Sequence, residues 1–201
     1  NPRAKSMAEL VVGYDKLRKA TIKKASAYDA SGRQVYKLKK SDIQDQSSIS
    51  GFSVYEDNRL KYVDLKQNKY PYTVEYEYEV EYKYTYSIPD WYVVSRQNVT
   101  VEKSRFRVSA PVELKPRYRT SNVQESNFAD KSNAVLVDYN WSFSNVPFIE
   151  REPMGPRWSE LTPVVHMAPS RFEFEGYKGD LSSWDGMATW QNELNKGRGS
   201  L

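Results

Sequence analysis

The sequence has 201 residues, no cysteine and a single histidine, His166. The missing thiol excludes cysteine catalysis, disulfide bonds and thiolate metal sites in this chain. One histidine, without a second histidine or an Asp/Glu pair at ligand spacing, gives no support for a metal site. The sequence therefore predicts a chain without cofactor or metal, in which His166 is a hydrogen-bonded structural residue.

Long apolar runs are also missing. The longest, Trp91–Val94 and Ala134–Val137, contain four residues, whereas a membrane-spanning helix requires about 18 or more. We therefore predict no membrane span. The chain begins at Asn1 without an initiator methionine, which fits an excised or processed segment and leaves the removal of a signal peptide open.

Motifs of the common enzyme classes are absent: the sequence contains no P-loop, no Gly-x-Gly-x-x-Gly and no Gly-x-Ser-x-Gly. Two carboxylates, Glu150 and Glu152, flank Arg151. They could form the acid–base pair of a hydrolase, but an ion pair with Arg151 or another nearby arginine is the simpler interpretation. We predict no catalytic residues and no enzyme activity, and keep a hydrolase acting through Glu150 and Glu152 as an alternative.

Charge is unevenly distributed along the chain. Residues 1–40 carry 11 Lys and Arg against 3 acids, whereas the remaining residues carry 19 against 23. The basic residues of the first part fall in strand-like segments, where lysines often line a solvent face or protect a sheet edge. Because no aromatic residues alternate with them as in a nucleic-acid motif, we predict no binding to nucleic acid.

The longest pattern in the chain runs from Tyr72 to Tyr86, where every even-numbered residue is apolar. Only a β-strand places such a period of two on two separate faces. We expect the strand to bend or to pass from one sheet to another, since strands are typically about 5–6 residues long. We predict that one face of the strand packs against a second sheet, and that this face carries Tyr76, Tyr78, Val80 and Tyr82. The other face, with Glu75, Glu77, Glu79 and Glu81, is predicted to meet solvent. In an alternative interpretation, the row of tyrosines stacks on sugar rings.

Short strand-like segments separated by turns fill most of the chain and favour an all-β, antiparallel β-sandwich, immunoglobulin-like or larger. The predicted strands are Lys19–Tyr28, Gln34–Leu38, Phe52–Tyr55, Leu60–Leu65, Trp91–Val94, Val99–Val108, Pro111–Tyr118, Ala134–Phe143, Leu161–Met167 and Arg171–Glu175, with polar loops at Gln44–Ser50 and Thr120–Asn133. Residues 1–16 are predicted to be a lead-in, 17–180 one sandwich domain, 181–195 a C-terminal helix and 196–201 a flexible end or the start of a linker.

The one predicted helix is Ser183–Leu194, preceded by a capping-box pattern in which Ser182 is followed three residues later by Asp185. Helical spacing predicts that Trp184, Met187 and Leu194 anchor it on the sandwich. Trp190 lies away from that stripe. Trp190 is therefore one candidate residue for an interdomain or ligand-binding surface, and Trp158 is the other.

Several short motifs follow one another in a distinctive order. They are the Asp29–Gly32 turn followed by Lys39–Ile43, the Asp57–Arg59 hairpin, Pro71 opening the Tyr/Glu strand, Val101–Ser104 before an amphipathic strand, Trp141 ahead of Asn145–Pro147, Glu152-Pro153, and Ser183-Trp184 opening the helix. In this order they resemble a family of uncharacterised N-terminal domains that precede a transglutaminase-like domain in exported proteins of Gram-negative bacteria. The resemblance spans roughly residues 17–195.

The resemblance implies a non-catalytic β-sandwich domain whose Cys-His-Asp chemistry belongs to the next domain. It also implies an exported protein, in the periplasm or at the cell surface, whose partner is the adjacent transglutaminase-like domain. We predict that the chain binds a substrate or partner, such as a peptide or glycan, or packs against the catalytic domain. The first alternative is a glycan- or peptidoglycan-binding module using exposed Trp and Tyr; an apolar patch beside the C-terminal helix would instead favour docking.

Overall fold

The computed structural model describes residues 6–48, 57–150 and 152–197. The chain divides into two compact units, Asn1–Lys83 and Tyr84–Leu201, and every strand pair in both is antiparallel. The predicted all-β class with a short C-terminal helix is confirmed. The boundary between the units falls inside the single domain predicted for residues 17–180, and that division of the chain stays a prediction.

The first unit contains two three-stranded sheets, in the orders β1-β5-β4 and β3-β2-β6. Their strands are β1 (Glu9–Tyr14), β2 (Arg18–Tyr28), β3 (Gln34–Lys37), β4 (Gln44–Ser47), β5 (Arg59–Asp64) and β6 (Thr73–Tyr82). Apolar residues from both sheets form one core, in which Leu10, Val12 and Val63 of the first sheet meet Ala20 and Ala25 of the second. The unit is therefore a small sandwich.

The predicted hairpin of β2 and β3 is confirmed, and its turn has a local cause. Asp29 Oδ1 accepts the backbone N–H groups of Ser31 and Arg33 at 3.0 Å each, an arrangement typical of aspartate in turns. Gly32 has a φ of +80°, which glycine adopts without steric cost. The turn is thus determined by a few adjacent residues.

Two segments of this unit differ from the sequence prediction. Residues 9–14, assigned to the lead-in, form β1, and its Leu10 and Val12 are buried. Gln44–Ser47, assigned to a loop, forms β4 at the edge of its sheet, with all four side chains exposed. Such a strand carries no hydrophobic alternation, so the sequence pattern could not indicate it. The predicted strand Phe52–Tyr55 lies outside the described residues.

The long alternating strand is β6, and only half of its prediction is correct. Its glutamates are exposed as expected and form ion pairs with lysines of β2, which are Lys24–Glu75 at 2.7 Å, Lys23–Glu79 at 2.8 Å and Lys19–Glu81 at 3.6 Å. The tyrosines are not buried: Tyr76 and Tyr78 are 41% and 48% exposed. Because β6 lies at the edge of its sheet, the core reaches its inner face through Val74 and Val80 instead.

The second unit contains the sheets β10-β11-β8 and β7-β12-β9 and the hairpin β13-β14. Its elements are β7 (Trp91–Tyr92), β8 (Val101–Pro111), β9 (Arg117–Ser121), β10 (Phe128–Asp130), β11 (Leu136–Val146), α1 (Trp158–Leu161), β12 (Val164–Ala168), β13 (Arg171–Phe174), β14 (Tyr177–Asp180) and α2 (Trp184–Asn195). Alternation in Ala134–Phe143 predicts that Val135, Val137, Tyr139, Trp141 and Phe143 share one face of β11. Four of them are buried, whereas Val135 precedes the strand and is 74% exposed. The buried Val137, Tyr139, Trp141 and Phe143 pack with Val165 and other residues of the second sheet.

Two local predictions in this unit are wrong, and one strand was not predicted. Val112–Leu114 forms a 3-10 turn, so the strand predicted for Pro111–Tyr118 begins only at Arg117. The loop predicted for Thr120–Asn133 contains β10. The strand β14 was not predicted. The turn before it has positive φ angles at Glu175 (49°) and Gly176 (86°). A glycine is a sequence signal for such a conformation, but a glutamate is not.

Candidate docking surface around the C-terminal helix

The C-terminal helix α2 begins where the sequence indicated, with a different cap. The backbone N–H of Gly186 donates to Ser183 Oγ at 3.1 Å, so Ser183 satisfies one of the free donors of the first turn. Ser182, the predicted cap, instead donates its backbone N–H to Asp180 Oδ1 at 2.7 Å. The predicted helix is confirmed, and its start is held by two adjacent serines with separate roles.

The helix contacts the β13–β14 hairpin region through Trp190. Its ring meets Phe172 edge-on at a centroid distance of 5.1 Å and stacks on Tyr86 at 6.0 Å. Gly186 allows the close approach, since a Cβ atom at this position would lie 2.6 Å from the backbone oxygen of Asp180. The helix is therefore anchored by the face that carries Gly186 and Trp190.

The prediction that Trp184, Met187 and Leu194 anchor the helix is wrong for Trp184, its largest residue. Trp184 is 85% exposed and Met187 is 40% exposed, and only Leu194 of the three is partly buried. Residues three apart on a helix lie on the same side, so Trp184 and Met187 form an exposed apolar pair, called here the helix surface. Helical periodicity alone could not show whether the helix docks by the side with Trp184 and Met187 or by the side with Trp190. The docking contact depends on the small Gly186, which gives no hydrophobic signal in the sequence.

A groove follows the opposite side of the helix. It has a volume of about 620 Å³ and is lined by Leu114, Phe172, Gly186 and Trp190 among others. Phe172 is buried, whereas Leu114 is exposed. Trp190, one of the two residues singled out in the sequence, thus packs into the fold and also borders an open apolar groove.

Trp158, the other candidate, lies elsewhere in the second unit. Its indole N–H donates to the backbone oxygen of Val94 at 2.9 Å, and its ring packs against the core that includes Val94 and Val165. The same Val94 oxygen accepts a longer hydrogen bond, 3.5 Å, from Thr162 Oγ1. The structure does not bring Trp158 and Trp190 together, and the observed contacts of Trp158 are structural.

The carboxylates considered for hydrolysis, Glu150 and Glu152, are both exposed. Neither of them forms an ion pair with another described residue. Arg151 lies outside the described residues, so its predicted ion pair stays a prediction. The hydrolase acting through these two carboxylates likewise stays an untested alternative.

His166 is hydrogen-bonded, as the sequence predicted. Its Nδ1 lies 2.8 Å from Asp90 Oδ2, and Asp90 Oδ1 accepts the backbone N–H of Met167 at 3.0 Å. Asp90 therefore ties the start of β7 to β12. Within the described ranges no group of three His, Asp or Glu side chains is arranged to hold a metal ion, and no helix is long and apolar enough to cross a membrane.

A polar network that sequence reasoning missed lies on the β10-β11-β8 sheet. Arg107 donates two hydrogen bonds to Asp138, at 2.8 and 2.9 Å, and Asn140 Nδ2 donates to the same carboxylate at 2.9 Å. Hydrogen bonding by Arg107 lowers the pKa of Asp138. These residues come from β8 and β11, so only the strand register reveals the pair. The network links β8 to β11 through side chains as well as through the backbone ladder.

Comparison with known families resolves the class of this chain. Residues 1–150 match the family described as a domain of unknown function with a solved structure, DUF3857. This match spans well over half of the sequence. The chain belongs to the DUF3857 family.

The DUF3857 chain is also similar to one solved structure, a "putative protease" from Parabacteroides distasonis ATCC 8503, with a TM-score of 0.67 and 14% identity. The similarity covers 85% of this chain and 35% of the Parabacteroides protein, so this chain spans about a third of its length. At this identity the likeness shows the fold alone. A search of curated proteins found no match.

The helix surface of this DUF3857 chain lies beyond the residues that the family model matches, which end at 150. Hairpin β13–β14 and helix α2 are likewise C-terminal to the match.

Proposed function

We propose that this chain is a non-catalytic accessory β-sandwich module of a larger transglutaminase-like, cysteine-protease-like protein. Its role is to pack against the catalytic domain of the same protein through the helix surface. The family membership, the order of motifs described above and the similarity to a much longer "putative protease" support this proposal. The same resemblance supports an exported protein, in the periplasm or at the cell surface, which cell fractionation would test.

The observation that carries the proposal is the exposed pair Trp184 and Met187 on α2. The helix is already anchored by Trp190, whereas 85% of the Trp184 surface and 40% of the Met187 surface meet solvent. Burying one large apolar side chain stabilises an interface by about 1.5–3 kcal/mol. An exposed Trp beside a Met is typical of a docking surface, since both residue types are enriched in interface cores.

The absence of cysteine from this chain supports the placement of the catalytic residues in another domain. A cysteine-protease-like mechanism requires a thiolate nucleophile activated by a base, and this sequence supplies no thiol and one histidine already held by Asp90. The nucleophile of the whole protein therefore belongs to another domain. The exposed carboxylates Glu150 and Glu152 take no part in this proposal.

The proposal is tested with the gene-encoded residues that follow Leu201. We expect a cysteine-containing transglutaminase-like segment there, and we expect that segment, expressed separately, to bind this chain in a titration. The double variant Trp184→Ser/Met187→Ser should weaken binding by about tenfold or more, equivalent to about 1.4 kcal/mol or more. Val135→Ser, at a residue 74% exposed on another part of the second unit, is the matched control and should leave affinity unchanged.

Two results would overturn the proposal. One is a following segment without the Cys-His-Asp set, and the other is unchanged affinity in the double variant. Turnover of a peptide or glycan by the isolated chain, lost in Glu150→Gln or Glu152→Gln, would establish the hydrolase alternative instead. Binding of a peptidoglycan fragment that is lost in Tyr76→Ser/Tyr78→Ser would establish the glycan-binding module.

A further inference from the structure

The strand β6 forms the edge of its sheet and pairs with β2 on one side only. Its ten residues span roughly 33 Å at about 3.3 Å per residue. For residues 73–81, no backbone hydrogen bond from this other side to any described residue is observed. Such an edge presents a row of backbone N–H and C=O groups that can pair with another extended chain.

Natural edge strands are often protected by lysine or proline, or are very short. Strand β6 (Thr73–Tyr82) is ten residues long and contains neither lysine nor proline. Its charged residues are four glutamates, and its pairing with β2 contains a register shift. The lysines that pair with its glutamates, Lys19, Lys23 and Lys24, all lie on β2. The open side of residues 73–81 therefore presents glutamates on one face and the half-exposed Tyr76 and Tyr78 on the other.

A second copy of the chain is a poor occupant of this edge. If two copies of β6 paired in antiparallel fashion about a two-fold axis, the interface would be isologous, and the glutamate faces of both strands would lie on the same side of the joined sheet. Glutamates of one copy would then lie opposite glutamates of the other, and like charges directly opposite in a sheet are destabilising. The charge pattern thus selects against self-pairing.

The same pattern favours a partner of opposite character. A strand with Lys or Arg at alternate positions would place its cations beside Glu75, Glu77, Glu79 and Glu81, and its apolar residues beside the tyrosines. Glu77 is the most available carboxylate, because it has no ion pair among the described residues. Cross-strand pairs of opposite charge and of aromatic with β-branched residues both stabilise a sheet.

We propose that the free edge of β6 binds an extended peptide segment in which Lys or Arg alternates with apolar residues, adding a fourth strand to the sheet. Backbone hydrogen bonds supply affinity in this mode, and the alternating side chains supply specificity. The site is separate from the helix surface and independent of the proposed docking function.

The test uses a capped ten-residue peptide that alternates lysine with valine, titrated into the chain by calorimetry. The control peptide has the same composition arranged as five lysines followed by five valines. We expect the alternating peptide to bind about tenfold tighter or more. Glu77→Lys should reduce its affinity by a similar factor, whereas Glu102→Lys, at an exposed residue of β8, should not.

Backbone pairing is tested without altering the protein. Alternate N–H groups of a strand point to the same side, so two peptides N-methylated at alternate residues in opposite phase should differ. One should lose binding and the other should retain it. Equal binding by both N-methylated peptides, equal binding of the block peptide, or self-association of the chain abolished by Glu77→Lys would each overturn the proposal.

Discussion

Phe172 and Gly179 face each other across the β13–β14 hairpin, and the Phe172 ring occupies the space that a side chain at position 179 would need. A Cβ atom there would lie 2.3 Å from Cζ of the ring. Phe172 is buried and also meets Trp190 of α2. The absence of one side chain therefore positions the ring that anchors the C-terminal helix.

We expect Gly179→Ala to destabilise the second unit by about 1–3 kcal/mol, the usual cost of overpacking. Urea unfolding followed by tryptophan fluorescence measures this directly, because all five tryptophans lie in that unit. Adding Phe172→Leu should recover part of the loss by making room, so the two changes should be coupled in a double-mutant cycle. Gly13→Ala, where no atom lies within 4 Å, is the control by circular dichroism. An equal loss at Gly13 would contradict the steric explanation.

Truncation of Trp190 should reduce stability strongly, whereas truncation of Trp184 should leave it almost unchanged. Trp190→Ala removes the contacts with Phe172 and Tyr86, and truncating a packed tryptophan costs up to about 3–5 kcal/mol. Trp184→Ala should change stability by no more than about 0.5 kcal/mol, as for other exposed positions. Scanning calorimetry of both variants checks this. A sharp fall in the midpoint with Trp184→Ala and none with Trp190→Ala would show that the helix docks by its other face.

Stability should depend on pH through Asp138. Its pKa is lowered in the folded state by hydrogen bonds from Arg107, so its contribution is present above the unfolded pKa of about 3.9 and is lost as pH falls through the folded value. The difference in unfolding free energy between the native chain and Asp138→Asn should therefore be largest near neutral pH and shrink in acid. Urea unfolding across this range measures it, with Glu102→Gln as control. A difference that stays constant with pH would exclude this ion pair as its source.

Trp158→Phe tests whether that residue is structural. It removes the hydrogen bond to the Val94 oxygen while keeping an aromatic ring, and should cost about 0.5–1.5 kcal/mol. Trp184→Phe, at an exposed position, should cost almost nothing in the same thermal melt. Unchanged stability of Trp158→Phe combined with weaker binding of the following domain would assign Trp158 to a ligand surface instead.

Local patterns in the sequence were sufficient for much of the secondary structure. Alternation in Ala134–Phe143 predicted the buried face of β11 from Val137 to Phe143, but not the exposure of Val135. The Asp29–Gly32 turn predicted the first hairpin, and helical spacing after Ser183 predicted α2. These features depend on residues close together in the chain, where propensity and turn chemistry act directly.

Only the tertiary structure decided which of these faces are buried. The alternation of β6 is as regular as that of β11, yet Tyr76 and Tyr78 are exposed because β6 forms a sheet edge. The helix docks through Gly186 and Trp190, because the small Gly186 lets its backbone approach Asp180 closely. The larger apolar side chains Trp184 and Met187 do not decide which face docks. A period in the sequence defines two faces of an element, but burial depends on which distant segment packs against each face, and that is a property of strand order and register.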